Sequence, residues 1–343
     1  MSDLSISITK FLASRGMAPD FEALTADAST REYFRINWNG EPAIACVYPE
    51  PFDADTHPYL DVTNLFLACD LPVAQILDVD GDLGVFVLED LGDRILRDVM
   101  GSMIDNDDPR LLREAISLIA RVQTATNAAY ERNSIASKLK FDTEKLLWEL
   151  NFFKEHYFQT YKRSELSKAT DEALSQEFLE LSRDLEAYAT VLCHRDFHAA
   201  NLMIDRNGKM RIIDHQDARI GSPAYDLVSL LLDRITTLPS PEWLADKRRY
   251  FLDVRRTLGM PKLDEVEFAY EFRLQTLQRC LKAAGTFSYQ SVMRNKTHFV
   301  PFIIPMFRIT ARAISNLGRF PVLNEVLLAE IAASESAEPH TLK

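Results

Sequence analysis

Three oxygen-bearing side chains occur at short spacing in the middle of the chain, and their types suit magnesium and phosphate chemistry. Asn201 follows Asp196 by five residues, and Asp214 comes a little further on. Mg²⁺ prefers oxygen ligands and takes only one or two from protein carboxylates, while phosphates and water supply the rest. A carboxylate that does not bind the metal could accept a proton from a hydroxyl group. These are the requirements of phosphoryl transfer, in which catalysis is mostly positioning and charge neutralisation.

Two apolar runs are expected to position these side chains. The first run leads into a short loop that carries Asp196, and the second ends on Asp214. Asn207-Gly208 supplies the positive-φ positions of a tight turn, so the strands can pair as a hairpin. We therefore expect Asp196, Asn201 and Asp214 to lie at one mouth of this hairpin.

His194-Arg195-Asp196 and Asn201 match, residue by residue, the H-R-D-x-x-x-x-N catalytic loop of the protein-kinase-like phosphotransferases. By this resemblance Asp196 is the catalytic base, while Asn201 and Asp214 bind Mg²⁺. Two further segments, Asp-His-Gln-Asp-Ala from Asp214 and Tyr-Asp-Leu from Tyr225, differ from the D-F-G motif of protein kinases. They are similar instead to the aminoglycoside phosphotransferase superfamily. Within that superfamily, these motifs most closely resemble those of the bacterial N-acetylmuramate/N-acetylglucosamine anomeric kinases.

The resemblance implies an α+β, bilobal protein-kinase-like fold. Residues 1–91 would form a small β-rich N-lobe with an antiparallel sheet, ending in a hinge. Residues 92–343 would form a larger, mainly helical C-lobe that carries the catalytic hairpin and a helical substrate-binding subdomain. Local patterns point the same way, because residues 3–15 have helical spacing and Asn39-Gly40 joins two β-prone runs. From Pro109 onward the apolar residues recur at helical spacing almost throughout.

The usual phosphate-binding features of kinases are missing from the first lobe. It has no Gly-rich loop, and no lysine occurs between residues 10 and 138. Positive charge for a triphosphate must then come from arginine, and Arg31 and Arg35 are the candidates. Ser29 and Thr30 could donate to phosphate oxygens from a tight loop. The alternative for each arginine is a solvated side chain on an edge strand.

Other residues are expected to bind adenine or to support the catalytic loop. By the resemblance, backbone groups from Glu89 to Leu91 form the hinge and hydrogen-bond adenine. A buried strand followed by a surface turn is the alternative for this segment. Asp226 is implied to orient the catalytic loop by hydrogen bonds, and His194 is expected to be structural as well.

Three residues are candidate contacts for the acceptor. His198 stands two residues past the base and could face the acceptor. Asp217 is the one clear additional carboxylate in the motif that a cationic acceptor could use. Glu149 lies beside Trp148 and Phe152, a combination that could form a sugar platform, although packing in the core is the alternative.

Composition excludes several classes of function. The net charge of −12 argues against a nucleic-acid partner, which would need clustered lysine and arginine. The four cysteines are scattered, without C-x-x-C spacing, which is typical of a reduced cytoplasmic protein. No apolar run approaches 18 residues, and no basic segment followed by an apolar one stands at the N-terminus, so neither a membrane span nor export is expected. A monomer or a homodimer is expected.

Together these observations predict a small-molecule kinase that uses ATP and Mg²⁺. The acceptor is a hydroxyl group, and the resemblance favours the anomeric hydroxyl of an amino sugar of the N-acetylmuramate or N-acetylglucosamine type. An aminoglycoside or amino-alcohol kinase is one alternative. A pseudokinase that binds nucleotide without turnover is another, suggested by the missing lysine and Gly-rich loop.

Overall fold

The computed structural model describes residues 3–24, 31–101 and 109–337 of the 343-residue chain. The β-strands in these ranges are β1 Phe21–Leu24, β2 Glu32–Trp38, β3 Glu41–Val47, β4 Ile76–Asp80, β5 Val85–Glu89, β6 Val191–Cys193, β7 Leu202–Ile204, β8 Met210–Ile212 and β9 Arg219–Gly221. The α-helices are α1 Asp3–Ser14, α2 Pro58–Ala68, α3 Leu96–Met100, α4 Pro109–Thr124, α5 Thr126–Glu131, α6 Ile135–Lys138, α7 Thr143–Lys154, α8 Lys168–Ala187, α9 Tyr225–Leu231, α10 Pro241–Thr257, α11 Glu265–Met293, α12 Ile303–Leu317 and α13 Pro321–Ala337. Short 3₁₀ segments span Ala54–Thr56, Ala199–Asn201 and Thr297–Phe302, and a π-helical segment spans Glu155–Lys162.

The chain divides into two compact units. The sheet unit comprises Met1–Gly101, Asn127–Ile135 and Ala199–Ala218. The helical unit comprises Ser102–Thr126, Ala136–His198 and Arg219–Lys343.

A five-stranded antiparallel sheet in the order β1-β2-β3-β5-β4 forms the centre of the sheet unit. Asn39 and Gly40 have φ values of 54° and 93°, so the Asn-Gly pair forms the predicted turn between β2 and β3. Ile8 and Phe11 of α1 pack with Phe34 of β2 in one core cluster, and each is at most 1% exposed. Each such side chain contributes about 1.5–3 kcal/mol through burial. The predicted helix at residues 3–15 is confirmed as α1.

The predicted hairpin also belongs to the sheet unit, but its strands differ from those expected. β7 pairs with β8, with Leu202 opposite Ile212, around the turn at Asn207-Gly208. The apolar run of β6 pairs instead with β9 of the helical unit, so the prediction that it forms one side of this hairpin was wrong. Along the chain, a loop and the 3₁₀ turn at Ala199–Asn201 come between β6 and the Asn-Gly turn. The strand that directly precedes this turn is therefore the short β7.

Helices make up most of the helical unit, and α7 and α11 lie close together at its centre. A Cβ atom placed on Gly285 of α11 would lie 2.6 Å from the Cα atom of Phe153 in α7, so only glycine permits this approach. α7 is followed directly by the π-helical segment Glu155–Lys162. That segment ends at Arg163, which has a left-handed φ of 52°.

The predicted α+β class is confirmed, with an antiparallel sheet in the N-terminal region and a mainly helical remainder. None of the helices in the described ranges combines the length and the apolar composition needed to cross a bilayer.

Candidate active site

The catalytic-loop motif begins directly after the buried strand β6 and is held by a buried carboxylate. Asp226, in the first turn of α9, accepts hydrogen bonds from the backbone amides of His194 (2.7 Å) and Arg195 (3.0 Å). The side chain of Asp226 is fully buried, and this burial raises its pKa. Arg195 has a φ of 88°, a region that costs a non-glycine residue about 1–2 kcal/mol. The two bonds to Asp226 offset that cost, and they are the contacts that a supporting role for Asp226 requires.

The carboxylate of Asp196 lies among three cations of the helical unit. The Lys282 Nζ atom donates to Asp196 Oδ1 at 3.0 Å. Arg279 Nη1 lies 3.6 Å from the same oxygen, and Arg195 Nε lies 3.7 Å from Asp196 Oδ2. The Asp196 side chain remains 27% exposed, so part of the carboxylate can still be reached by another molecule.

These cations decide the ionisation of Asp196. Burial alone raises the pKa of this carboxyl, but the charges of Lys282, Arg279 and Arg195 outweigh burial and hold the pKa well below its usual value. His198 adds a smaller effect in the same direction. Asp196 is therefore an ionised carboxylate at neutral pH, which is the protonation state that a general base needs.

Arg279 is itself firmly positioned. Its guanidinium donates to the Tyr225 hydroxyl at 2.9 Å and to Ser229 Oγ at 2.5 Å, both on α9. It is 8% exposed. His198 is fixed through its backbone amide, which donates to the Asp196 carbonyl at 3.0 Å and tightens the loop.

Asn201 and Asp214 meet at the open end of the β7–β8 hairpin in the sheet unit. The Ile213 amide donates to the Asn201 carbonyl at 3.1 Å, which extends the hairpin by one step. Asn201 Nδ2 donates to Asp214 Oδ2 at 3.4 Å, and Gln216 Nε2 donates to Asp214 Oδ1 at 2.9 Å. The Asp214 side chain is 42% exposed. Within the described ranges, no three His, Cys, Asp or Glu side chains converge as a metal-binding group.

The two candidate arginines of the first lobe have different surroundings. Arg31 Nη2 lies 3.6 Å from Asp214 Oδ1, and Arg31 Nη1 donates to the Tyr48 hydroxyl at 3.2 Å. Arg35 instead forms ion pairs with Asp90 at 3.0 Å and Asp93 at 2.6 Å. The structure therefore brings Arg31, and not Arg35, to a predicted metal ligand. Ser29 and Thr30 lie outside the described residues.

The predicted adenine-binding segment begins at the last residue of β5. Arg211 of β8 donates two hydrogen bonds to the Glu89 carboxylate, at 2.6 Å and 2.8 Å. The backbone amide of Glu89 donates to the Gln75 carbonyl at 2.9 Å. The pKa of Glu89 is lowered, chiefly by the bond to Arg211. Leu91 is 5% exposed. The side chain of Glu89 thus links β5 to the β7–β8 hairpin.

The two carboxylates predicted to contact the acceptor, Asp217 and Glu149, belong to different units of the chain. Asp217 is half-buried in the sheet unit, in a turn where the Ala218 amide donates to the His215 carbonyl at 3.1 Å. Glu149 is 1% exposed and accepts a hydrogen bond from Gln278 Nε2 at 2.6 Å. Its burial between α7 and α11 leaves the predicted contact with an acceptor without support.

Lys282 and Arg279 were not among the predicted site residues. Both come from α11, far along the chain from the motif, and nothing in the motif indicates them. Two cations one turn apart in an otherwise apolar helical stretch, Gln-Arg-Cys-Leu-Lys-Ala-Ala, are the one signal that could have found them.

Comparison with known proteins gives a consistent result. The model of the phosphotransferase enzyme family (APH) matches residues 20–266. An N-acetylmuramate/N-acetylglucosamine kinase of Neisseria meningitidis serogroup B is 31% identical, covering 93% of this chain and 92% of that protein. A protein of the same name from Pseudomonas aeruginosa is 27% identical, covering 91% and 89%.

Solved structures share the fold at lower identity. The choline kinase LicA from Streptococcus pneumoniae aligns with a TM-score of 0.57 at 14% identity, covering 93% of this chain and 100% of that chain. A thermostable mutant of the aminoglycoside phosphotransferase APH(4)-Ia, in complex with AMP-PNP and hygromycin B, aligns with a TM-score of 0.55 at 18% identity, covering 91% and 100%.

The resemblance seen in the catalytic-loop residues is thus confirmed by the family match. Since that match spans more than two thirds of the sequence, the chain belongs to the phosphotransferase enzyme family and is a kinase.

Proposed function

We propose that this kinase transfers the γ-phosphate of ATP to the anomeric hydroxyl of an N-acetylated amino sugar, of the N-acetylmuramate or N-acetylglucosamine type. The observation that carries the proposal is the environment of Asp196, a carboxylate kept ionised by Lys282, Arg279 and Arg195 while still 27% exposed. The names of the relatives that match over nine tenths of the chain support the choice of sugar.

Asp196 is the proposed base. In the proposed step the hydroxyl oxygen of the sugar forms a bond to the γ-phosphorus, and the bond from that phosphorus to the β–γ bridging oxygen breaks. ADP leaves with the bond electrons, and the hydroxyl proton passes to Asp196. His194 and Asp226 support this residue by fixing the backbone of the loop.

Asn201 and Asp214 are the proposed ligands for Mg²⁺. Their donor set fits this ion, because it offers one carboxylate and one amide oxygen on side chains already in contact, and the carboxylate is 42% exposed. When bound, Mg²⁺ neutralises charge on the β- and γ-phosphates. Asp214 has a φ of 60°, a backbone conformation that aspartate tolerates better than most residues.

Arg31 is the proposed phosphate-binding arginine of the first lobe. Its ion pair with Asp214 places it beside a proposed metal ligand, whereas Arg35 is held by two other carboxylates. Ser29 and Thr30 next to it in sequence remain proposed donors to phosphate oxygens. Backbone groups from Glu89 to Leu91 remain the proposed adenine contacts, with the functional boundary between lobes at residue 91.

A cationic acceptor is disfavoured by the charges around Asp196. An aminoglycoside or amino alcohol would bring further positive charge toward Lys282, Arg279 and Arg195, and like charges at close range repel by several kcal/mol. His198 remains a proposed acceptor contact, because its backbone is bonded to that of the base. The proposal also keeps the cytoplasmic location and the monomeric or dimeric state expected from the sequence.

The test is a panel of acceptors under one set of conditions. ADP release is measured with ATP, Mg²⁺ and N-acetylmuramate, N-acetylglucosamine, an aminoglycoside or choline, and the product is identified by ³¹P and ¹H NMR. We expect turnover with the amino sugars and a phosphate on the anomeric carbon. Turnover only with the cationic acceptors would refute the sugar assignment, and binding of ATP without turnover on any acceptor would indicate a pseudokinase.

A further inference from the structure

A row of aromatic side chains lies on the surface of the helical unit where α7 and α11 pack together. Trp148 and Phe152 follow Lys145 at spacings of three and four residues, which places these three on one face of α7. His156 of the π-helical segment continues the row, with its ring centroid 4.1 Å from that of Phe152. Tyr289 of α11 contacts this row, with ring centroids 5.9 Å from Phe152 and 4.9 Å from His156. Trp148 is 55% exposed. The row offers rings to a ligand, in contrast to the buried aromatics of the core.

Lys145 stands at one end of this row. Its ammonium lies 3.9 Å from the centre of the Trp148 ring, and its side chain is 26% exposed. The nearest carboxylate oxygen, Glu149 Oε1, lies 3.9 Å away, which is too far for a hydrogen bond. Lys145 therefore has a cation–π contact and a distant carboxylate in a half-buried position.

The other charges around Lys145 are mostly positive. Burial lowers the pKa of Lys145, and the charges of Arg195, Arg219 and Lys282 lower it further, while Glu149 opposes them. A half-buried ammonium among other cations is stabilised when an anion binds beside it. The chain as a whole carries a net charge of −12, so this local group of positive side chains around Lys145 differs from the rest of the molecule.

Contacts between α7 and α11 join this position to the proposed base. Glu149, one turn after Lys145 on α7, accepts a hydrogen bond from Gln278 Nε2 of α11 at 2.6 Å. Lys282 follows Gln278 by one turn on α11 and donates to Asp196 at 3.0 Å. An acceptor whose hydroxyl meets Asp196 could thus direct a second group toward Lys145.

We propose that Lys145, together with Lys282, forms a subsite for a carboxylate carried by the acceptor sugar, with Trp148 and Phe152 covering an apolar face of that sugar. This inference rests on the proposed function and makes Lys145 a specificity-determining residue. The enzyme should then prefer an amino sugar that carries a carboxylate over the same sugar without one. The γ-phosphate of ATP is the other anion that could bind Lys145. A role toward the phosphate would affect both sugars equally, whereas a carboxylate subsite would affect only the carboxylated sugar.

The test compares N-acetylmuramate with N-acetylglucosamine, which lacks the carboxylate, at saturating ATP. Lys145→Met keeps the length and the apolar stem of the side chain but removes the charge. We expect kcat/KM for N-acetylmuramate to fall about 10- to 100-fold, the range of a charge-assisted hydrogen bond, and kcat/KM for N-acetylglucosamine to fall less than about threefold. Lys145→Arg should restore most of the preference for the carboxylated sugar.

Lys154→Met is the matched control. Lys154 lies on the same helix nine residues further on, which is the opposite face, and its ammonium pairs with Asp171 at 2.8 Å. It should leave the ratio of the two kcat/KM values unchanged. The midpoint of thermal unfolding is measured for each variant, so that a folding defect is recognised.

Two results would overturn the subsite. Equal losses for both sugars would mean that Lys145 serves the phosphate or the fold, and no loss for either sugar would mean that its charge is not used. If the wild-type enzyme phosphorylates neither sugar, the proposed function itself fails and the subsite fails with it.

Discussion

Replacing Lys282 by methionine should move the acid limb of the kcat–pH profile upward. Lys282 Nζ lies 3.0 Å from Asp196 Oδ1, and its charge is the strongest of those that lower the pKa of this carboxyl. Without it, burial raises the pKa of Asp196 against weaker opposition. The base then becomes protonated, and kcat falls, at a higher pH than in the wild type.

The size of the effect follows from the geometry. Two unit charges 3.0 Å apart interact by about 1.4 kcal/mol in water and by about 5.5 kcal/mol at an effective dielectric constant of about 20. The lower part of this range applies, because the side chains of Lys282 and Asp196 are 20% and 27% exposed and Arg279 remains 3.6 Å from the carboxylate. A loss of about 1.5–3 kcal/mol corresponds to a rise of roughly one to two pH units in the pKa of Asp196.

The assay is kcat for an amino sugar at saturating substrates from about pH 7 down to about pH 3.5, because the rise starts from a pKa well below the usual value of this carboxyl. The ratio of variant to wild-type kcat should be constant near neutral pH and decrease toward the acid end, and Lys154→Met should give a constant ratio throughout. Circular dichroism at each pH checks that both proteins stay folded. A Lys282→Met profile that superimposes on the wild type after scaling would refute the reasoning, because it would mean that Lys282 does not set the ionisation of the base.

Four further substitutions test other residues of the site and of the fold. Arg31→Met should raise the KM for ATP about tenfold, the equivalent of about 1.4 kcal/mol, while Arg35→Met should leave this KM unchanged. A rise in the KM for ATP with Arg35→Met and not with Arg31→Met would mean that Arg35 is the phosphate-binding arginine. Asp226→Asn should lower the free energy of unfolding in urea by about 2–3 kcal/mol, because the buried side chain then accepts only one of the two hydrogen bonds donated by the His194 and Arg195 amides. An unchanged midpoint of urea unfolding would contradict this. Burial raises the pKa of Glu271 from 4.5 to about 7, so its charged form is disfavoured in the fold and stability should fall by about 3 kcal/mol as the pH rises through this window. Glu271→Gln should remove most of that decrease, and equal slopes of unfolding free energy against pH for both proteins would exclude Glu271 as its source.

Local sequence signals predicted the turns and the motif. Asn39 and Gly40 both have positive φ values in the turn between β2 and β3, a conformation that is rare for other residues. In the turn between β7 and β8 only Gly208, with a φ of 77°, adopts it, so the prediction of a positive φ at Asn207 was wrong. The positions of Asn201 and Asp214 follow from the second turn, since each lies directly beside a strand of that hairpin. Such features depend on few residues and can be read without knowing the rest of the fold.

Contacts between distant segments could not be read in this way. The sequence gives no register between Lys282 and Asp196, which are 86 residues apart, and the contact exists because α11 packs beside the catalytic loop. Glu149 illustrates the same limit, because the helical pattern of α7 does not reveal which of its faces α11 covers. Here Gly285 permits the close approach that buries Glu149 and leaves Trp148 outside.

The most direct test of the central claim is kcat of Asp196→Asn with the preferred amino sugar, at saturating ATP and Mg²⁺. The side chain keeps its shape but can no longer take up a proton. If Asp196 is the base, kcat should fall by about 10²- to 10⁴-fold while circular dichroism at the assay temperature shows a folded protein. A kcat within about threefold of the wild type would contradict the assignment of Asp196 and, with it, the proposed phosphoryl transfer at this carboxylate.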